Sequence, residues 1–350
     1  MLDGATRFWV DTDFGFDDLW ALIVLQHFDV PVDGVSLVSG KTALPQVMRN
    51  AEASSRVFGF DWPFYAGAAT PLQRQPVTAE HVLGSLGMCS RGKFLPYSDS
   101  NGSDSTYSDF TASDFTGSDM ARSDAANSDA SSTDTGRLDK GSTSQAPPIG
   151  AIDALARSLN EDTPHHILAL GPLTNLAQLL AQHPDTASRI RQITWLGGSR
   201  GRGNQSPYAE FNALADPEAL SLVAGSDIPF RMIDLELCRQ VSFAPTDMPV
   251  MHGINQQLVA DLLGGYLDIA LQRGRSAMSI YDPLAALSIV KPELFTFASA
   301  SLLVELAPNL EYGRTVIDFS ASRNAATVEI VESIDSEKAR NACLSVLIDA

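Results

Sequence analysis

Four carboxylates, Asp11, Asp13, Asp17 and Asp18, fall within eight residues, between the apolar runs Phe8-Trp9-Val10 and Leu19 to Phe28. A short apolar run, a turn and a longer apolar run read as strand, turn and helix. Arg7 to Val10 is the expected buried strand, Gly15 the turn residue, and Leu19 to Phe28 a largely buried helix. In open α/β sheets ligands bind in the crevice beyond the carboxyl ends of the strands, so this turn directs its acids there. Acids so close repel one another and raise their own pKa values unless a positive charge sits among them, and a hard cation suits that place. An acidic first helical turn accounts for Asp17 and Asp18 through the helix dipole, but not for Asp11 and Asp13.

The alternation of strand and helix continues along the chain. Val32 to Val38, His166 to Leu170 and Gln192 to Leu196 read as strands, while Ala43 to Phe58 and Pro172 to Gln182 read as helices. Asp216-Pro217 starts another helix, with the aspartate as cap and the proline in the first turn. This order predicts an α/β fold: a single large domain with a mainly parallel open sheet flanked by helices.

Residues 97–147 interrupt the pattern. Aspartates recur there every five residues, at Asp99, Asp104, Asp109, Asp114, Asp119, Asp124, Asp129, Asp134 and Asp139. The units resemble pentapeptide repeats, whose coils need an apolar residue at each centre. Only Phe110, Phe115 and Met120 are large and apolar among these centres, so a Ser/Asp-rich, solvated and disordered insertion is the expectation.

Composition narrows the function. A net charge of −18 opposes nucleic acids and anionic membranes and points to a small-molecule partner. No apolar stretch approaches the roughly 18–20 residues of a membrane span, and the first residues lack the basic and apolar parts of a signal peptide. A cytoplasmic location is therefore expected. The cysteines, Cys89, Cys238 and Cys343, are odd in number and show no metal-ligand spacing, which argues against a disulfide framework or a zinc site.

Further polar positions line up with the acidic turn. Leu170-Gly171-Pro172-Leu173-Thr174-Asn175 ends a strand in Gly-Pro and leaves the Leu170 carbonyl without a helical partner, able to ligate calcium. Gly203-Asn204 and Ala209-Glu210-Phe211-Asn212 follow Leu196-Gly197-Gly198-Ser199, and such amides and a carboxylate suit sugar hydroxyls. Asp282 precedes Pro283 at a helix start, where a plain N-cap is its simplest role in isolation. Asp11 and Asp13 also superficially fit the nucleophile pair of haloacid dehalogenase-type phosphotransferases, but that pattern leaves Gly15-Phe16-Asp17-Asp18 without a use.

Taken in order, Asp11 to Asp18, Gly171 to Asn175, Asn204, Ala209 to Asn212, Asp216-Pro217-Glu218-Ala219 and Asp282-Pro283-Leu284 resemble the nucleoside hydrolase family, the inosine-uridine-preferring hydrolases. Tyr65-Ala66-Gly67-Ala68, Pro71-Leu72 and Arg49-Asn50 agree more loosely, and the likeness covers most of the chain outside the insertion. The resemblance implies a bound Ca²⁺ held by Asp13, Asp18, Asp282 and the Leu170 carbonyl. It makes Asp13 the base for the attacking water. It sets Asp17 and Asn212 on ribose hydroxyls and Asn204 and Glu210 toward the 5′ side, with Asp11 supporting the turn from behind. Homo-oligomers, dimers or tetramers, are expected by the same analogy.

Three positions depart from the family pattern. Lys41 follows Gly40 where Gly-Asn is usual. The commoner fate of a lysine is to turn outward to solvent, and that is the expectation; turned inward it would repel a cation and meet either a substrate carboxylate or the site acids. Tyr281 stands where pyrimidine-accepting members often carry histidine, and an aromatic there looks more like the purine-preferring members, able to stack on a base. Leu83-Gly84 replaces a frequent His-Gly. The expected function is Ca²⁺-dependent hydrolysis of the N-glycosidic bond of ribonucleosides, purine or modified, in nucleoside catabolism or salvage. The alternative is a non-catalytic calcium- and ribose-binding relative.

Overall fold

Alternation along Phe8-Trp9-Val10 fits the first strand to the interior of a sheet covered on both faces. Phe8 and Val10 point into one core, with Trp9 in the other, and all three are buried. The computed structural model describes residues 6–97, 149–160, 163–320 and 326–350. The repeat insertion lies outside the described residues, apart from Tyr97.

The strands are β1 (Arg7–Thr12), β2 (Val32–Leu37), β3 (Phe64–Ala66), β4 (His165–Ala169), β5 (Ile190–Leu196), β6 (Phe230–Ile233), β7 (Ser242–Phe243), β8 (Met278–Ser279), β9 (Phe295–Val304), β10 (Thr315–Asp318) and β11 (Ala326–Ile334). Nine of them form one sheet in the order β10-β9-β11-β6-β5-β4-β1-β2-β3, with β7 and β8 as a separate antiparallel pair. From β3 through β11 neighbouring strands are parallel, and β9 and β10 add an antiparallel edge. The predicted single α/β domain with a mainly parallel, helix-flanked sheet is what the chain forms. Each predicted strand lies within about two residues of its observed ends.

Helices follow the strands onto both faces. Phe16–His27, Gln256–Gln272 and Asp282–Val290 bury their apolar residues with Phe8 and Val10, while Ala151–Leu159, Thr174–Gln182 and Pro217–Ala224 pack on the Trp9 side. Asp216 caps Pro217–Ala224 as expected, accepting from the Ala219 N–H.

The strand order decides where a ligand can sit. From β1 the chain moves outward through β2 and β3, then returns to the other side of β1 for β4, β5 and β6. Loops leaving β1 and β4 therefore diverge, and the crevice at their carboxyl ends opens over Asp11, Asp13 and Leu170. Chains with this order bind ligands there because no crossover helix closes the gap.

Candidate active site

The acidic turn is held in an uncommon backbone shape. Phe14 has φ +43°, in the left-handed region that a bulky side chain rarely adopts, and its ring is wholly buried. Surrounding bonds impose the shape. The Thr12 hydroxyl accepts from the Phe14 N–H at 3.1 Å and donates to Asp18 Oδ1 at 2.6 Å, the Gly15 N–H donates to Asp18 Oδ2 at 2.7 Å, and Asn50 Nδ2 donates to the Phe14 carbonyl at 2.9 Å. Asp18 is thus spent partly on closing the turn.

Asp11 lies behind it. Its Oδ1 accepts from the Ser36 hydroxyl and from Asn175 Nδ2 at 2.7 Å, and Asn175 also binds the Ala68 N–H and the Leu37 carbonyl. Asp11 therefore ties β1 to β2 and to the helix after β4. Burial pushes its carboxyl up to about 6, and these two hydrogen bonds pull the other way.

Asp17, Asp18 and Asp282 each offer an oxygen within 4.8 Å of the others, all three buried. Asp282 arrives from the far end of the chain, where Ile280 bonds to the Val241 carbonyl and Tyr281 occupies the cap position of the following helix. Its Oδ2 accepts from Lys41, so the plain capping role considered for Asp282 is not the one it takes.

Lys41 turns inward. The solvent-facing orientation expected for it is corrected: the residue is 8% exposed and its Nζ stands among the acids. Nζ is 2.9 Å from Asp17 Oδ1, 2.9 Å from Asp282 Oδ2, 3.5 Å from Asp13 Oδ1, and in direct contact with Asp18 Oδ2. Its backbone N–H donates to Asp13 Oδ2 at 2.8 Å. The general tendency of lysines to seek water loses to four carboxylates that need a counter-charge. Burial works against the Lys41 ammonium, but Asp13, Asp17, Asp18 and Asp282 together hold its pKa well above the ordinary lysine value.

Among the described residues, Asp13 Oδ1, Asp282 Oδ1 and Asn212 Oδ1 are buried without a hydrogen-bond partner. Burial pushes the Asp13 carboxyl up to about 8, opposed first by Lys41. Burial, and then the Asp17 charge, raises Asp282. Buried orphan acceptors are costly, and at the edge of a cavity they are the atoms a hydroxyl-bearing ligand satisfies.

Such a cavity is present. About 630 Å³ in volume, it is lined by Asp17, Lys41, Asn204, Glu210, Asn212 and Tyr281, among others, and also by Asp282. The residues singled out from sequence therefore meet in one place, with Asp13 and the Leu170 carbonyl beneath its floor through Lys41 and Asn212.

Several of these groups already have duties. Asn212 Nδ2 donates to the Leu170 and Leu196 carbonyls at 2.9 and 3.0 Å, so it bridges the ends of β4 and β5 and leaves only Oδ1 open. Glu210 caps the helix Phe211–Ala215 through the Asn212 and Ala213 N–H groups and also accepts from Gly198. Burial still raises its pKa despite those bonds. Asn204 Oδ1 accepts from the Phe211 N–H, leaving its amide nitrogen for a ligand.

Sequence reasoning missed Tyr266, whose hydroxyl donates to Asp17 Oδ2 at 3.1 Å from the middle of the helix Gln256–Gln272. It also missed the arginines on the cavity wall, Arg202, Arg239, Arg273 and Arg275. Nothing in the local pattern around these residues distinguishes them from ordinary helix and loop positions. Leu83 lines the cavity at the position noted for its departure, whereas His81 is exposed.

Comparison with known proteins agrees with this geometry. Residues 8–341 match the family model described as inosine-uridine preferring nucleoside hydrolase. A non-specific ribonucleoside hydrolase, RihC, of Escherichia coli is 31% identical over 315 residues, covering 88% of this chain and 87% of the relative. A pyrimidine-specific ribonucleoside hydrolase, RihA, of Shewanella woodyi is 29% identical over 339 residues, covering 93% of each. Among solved structures, a plant nucleoside hydrolase superposes with a TM-score of 0.77 at 21% identity, over 99% of this chain and 100% of the other. A purine-preferring ribonucleoside hydrolase from Gardnerella vaginalis gives 0.76 at 19% identity, over 98% of each chain. These two structural likenesses concern the fold.

Proposed function

The chain belongs to the inosine-uridine preferring nucleoside hydrolase family, N-glycosyl hydrolases of nucleosides, and from that premise we propose that it hydrolyses ribonucleosides, leaning toward purine or modified bases, to free base and ribose. The observation that carries this reading is the set of buried, unpartnered acceptors Asp13 Oδ1, Asp282 Oδ1 and Asn212 Oδ1 beside a nucleoside-sized cavity.

Cleaving the glycosidic bond passes through an oxocarbenium-like state. The site must deliver a water to C1′, place negative charge near the ribosyl cation, and stabilise the departing base. In this reading Asp13 takes the proton of the attacking water through its free Oδ1. Asp17, Asp282 and Asn212 accept from the ribose hydroxyls and hold the sugar. Lys41 opposes the burial that raises Asp13 and Asp282 and holds the acids in register. Tyr281 on the cavity wall offers a stacking face to the base, which supports the purine leaning.

The fit of Ca²⁺, the ion expected for this family, depends on one position. Carboxylates in this number suit a hard cation that takes six to eight oxygens at roughly 2.3–2.6 Å. The centre of that oxygen set is where Lys41 Nζ stands, 2.9 Å from both Asp17 and Asp282. An ammonium and a divalent ion cannot share it, so with Lys41 so placed calcium does not fit. The chain's own groups therefore supply the chemistry.

Incubation of the purified protein with inosine, adenosine, guanosine, uridine and cytidine, followed by assay of reducing sugar, tests the proposal. Ribose release, faster from the purines, is expected. Release from none of them overturns it. The inward lysine also favours a second reading, a relative that binds ribose without turnover; ribose binding by calorimetry with no product formed would select it.

A further inference from the structure

We propose that the Lys41 ammonium is a tethered cation standing in place of the family's divalent metal, so that the acidic centre of this chain works without a bound metal ion. The inference rests on the hydrolase reading only in taking the same cavity as the reacting site.

The position is built rather than reached by chance. Lys41 follows the end of β2, next to β1 in the sheet, and its N–H bond to Asp13 Oδ2 fixes the backbone from which the side chain departs. Gly40 and Gly15 make the passage for it. A Cβ at Gly40 would overlap the Asp13 carboxylate, and one at Gly15 would overlap Lys41 Cδ. The aliphatic stem thus lies against a glycine on the acidic turn itself, and the charged end emerges at the point equidistant from Asp17 and Asp282.

Charge and geometry then distinguish this centre from a metal site. The ammonium has three N–H donors and no acceptor, and its contacts with Asp17, Asp18 and Asp282 match that number. It neutralises one charge where a divalent ion neutralises two. The remaining charge is spread by the Thr12 hydroxyl and Gly15 N–H on Asp18, the Tyr266 hydroxyl on Asp17, and the Lys41 N–H on Asp13. With its donors spent on carboxylates, Lys41 does not chelate a vicinal diol. The sugar is instead held by acceptors, the role open to Asp282 Oδ1 and Asn212 Oδ1, while Asp13 Oδ1 is left for the attacking water.

The test uses the full chain and calcium itself as probe. Metal content after purification, titration calorimetry with CaCl₂, and thermal unfolding with CaCl₂ or chelator are measured for the wild type and for Lys41→Asn. The wild type is expected to carry no stoichiometric calcium, to give no binding heat, and to melt at the same temperature in both solutions. Lys41→Asn opens the oxygen set and is expected to gain calcium-dependent melting, a rise of a few degrees with saturating ion. Stoichiometric calcium on the wild type, or a calcium-dependent rise in its melting temperature, overturns the proposal. The wild-type measurements decide it even if the variant does not fold. Absence of ribose release under all conditions, together with a calcium-silent wild type, would remove the hydrolase reading and leave the cation replacement standing.

Discussion

Lys41 Nζ lies 2.9 Å from Asp282 Oδ2, across 241 residues of sequence, and this ion pair closes the acidic centre from the opposite end of the chain. Both side chains are almost wholly buried, so each depends on the other for its solvation. Removing the ammonium leaves several carboxylates without a counter-charge. Lys41→Met is expected to destabilise the fold by about 3–5 kcal/mol, the usual result of breaking a buried pair from one side. Urea unfolding measures it, and calcium added to the variant should recover part of the loss.

Asp13 divides its two oxygens between a structural bond and an open position. Its Oδ2 is committed to the Lys41 N–H, whereas Oδ1 has no hydrogen-bond partner. Asp13→Asn keeps the shape and removes the base. Steady-state ribose release should fall about 100- to 10,000-fold, in the range of general-base catalysis, with the melting temperature little changed. A variant retaining near-wild-type turnover would assign the proton to another group.

Gly15 tests the passage for the lysine. Alanine there must displace the Lys41 stem, since the added methyl overlaps Cδ. Gly15→Ala is expected to cost about 1–3 kcal/mol, as overpacking does, and to lower turnover with it. The double variant Gly15→Ala/Lys41→Asn should lose less than the sum of the two single changes, because the colliding chain is then gone.

His166 carries the pH dependence that can be separated from the acidic centre. It is buried on β4, stacks on Phe8 with ring centroids 5.3 Å apart, and bonds to the Thr194 hydroxyl at 2.8 Å. Burial, then the charges of Arg231 and Arg191, lowers its pKa from 6.5 to about 3. Below pH 6.5 the unfolded chain takes up a proton here that the folded protein refuses until pH nears 3. Stability therefore falls as pH drops through that window, by about 1.4 kcal/mol per unit. His166→Gln removes the titration. Between pH 7 and pH 5 the wild type should lose about 2 kcal/mol more than the variant in urea unfolding.

The fold was legible because its signals are local. Phe8-Trp9-Val10 alternates across a sheet, Asp216-Pro217 starts a helix, and β1, β2, β4 and β5 are each followed by helices that cross back. The polar residues of the site were legible because they cluster where strands hand over to the following helices, too many for capping alone to account for. The Lys41 orientation was not, because it is set by the summed field of Asp13, Asp17, Asp18 and Asp282, and no window of sequence contains all of them. Tyr266 escaped for the same reason: its partner Asp17 is 249 residues away. The Leu170 carbonyl, expected to face a cation, accepts from Asn212 Nδ2, a contact decided by how β4 and β5 end side by side.

Substrate discrimination follows from how the sugar is held. A divalent ion that chelates the 2′- and 3′-hydroxyls loses a coordination bond when the 2′-hydroxyl is absent. In this chain Lys41 makes no such bond, and the diol meets hydrogen-bond acceptors instead, Asp282 Oδ1 and Asn212 Oδ1 among them. Loss of one hydroxyl then costs a hydrogen bond and leaves a buried acceptor unmet, about 1–3 kcal/mol. The ratio of kcat/KM for inosine over 2′-deoxyinosine should accordingly lie at roughly 5- to 150-fold. A preference on the order of a thousandfold or more, about 4 kcal/mol, would require both hydroxyls on a metal ion and would remove Lys41 from the centre.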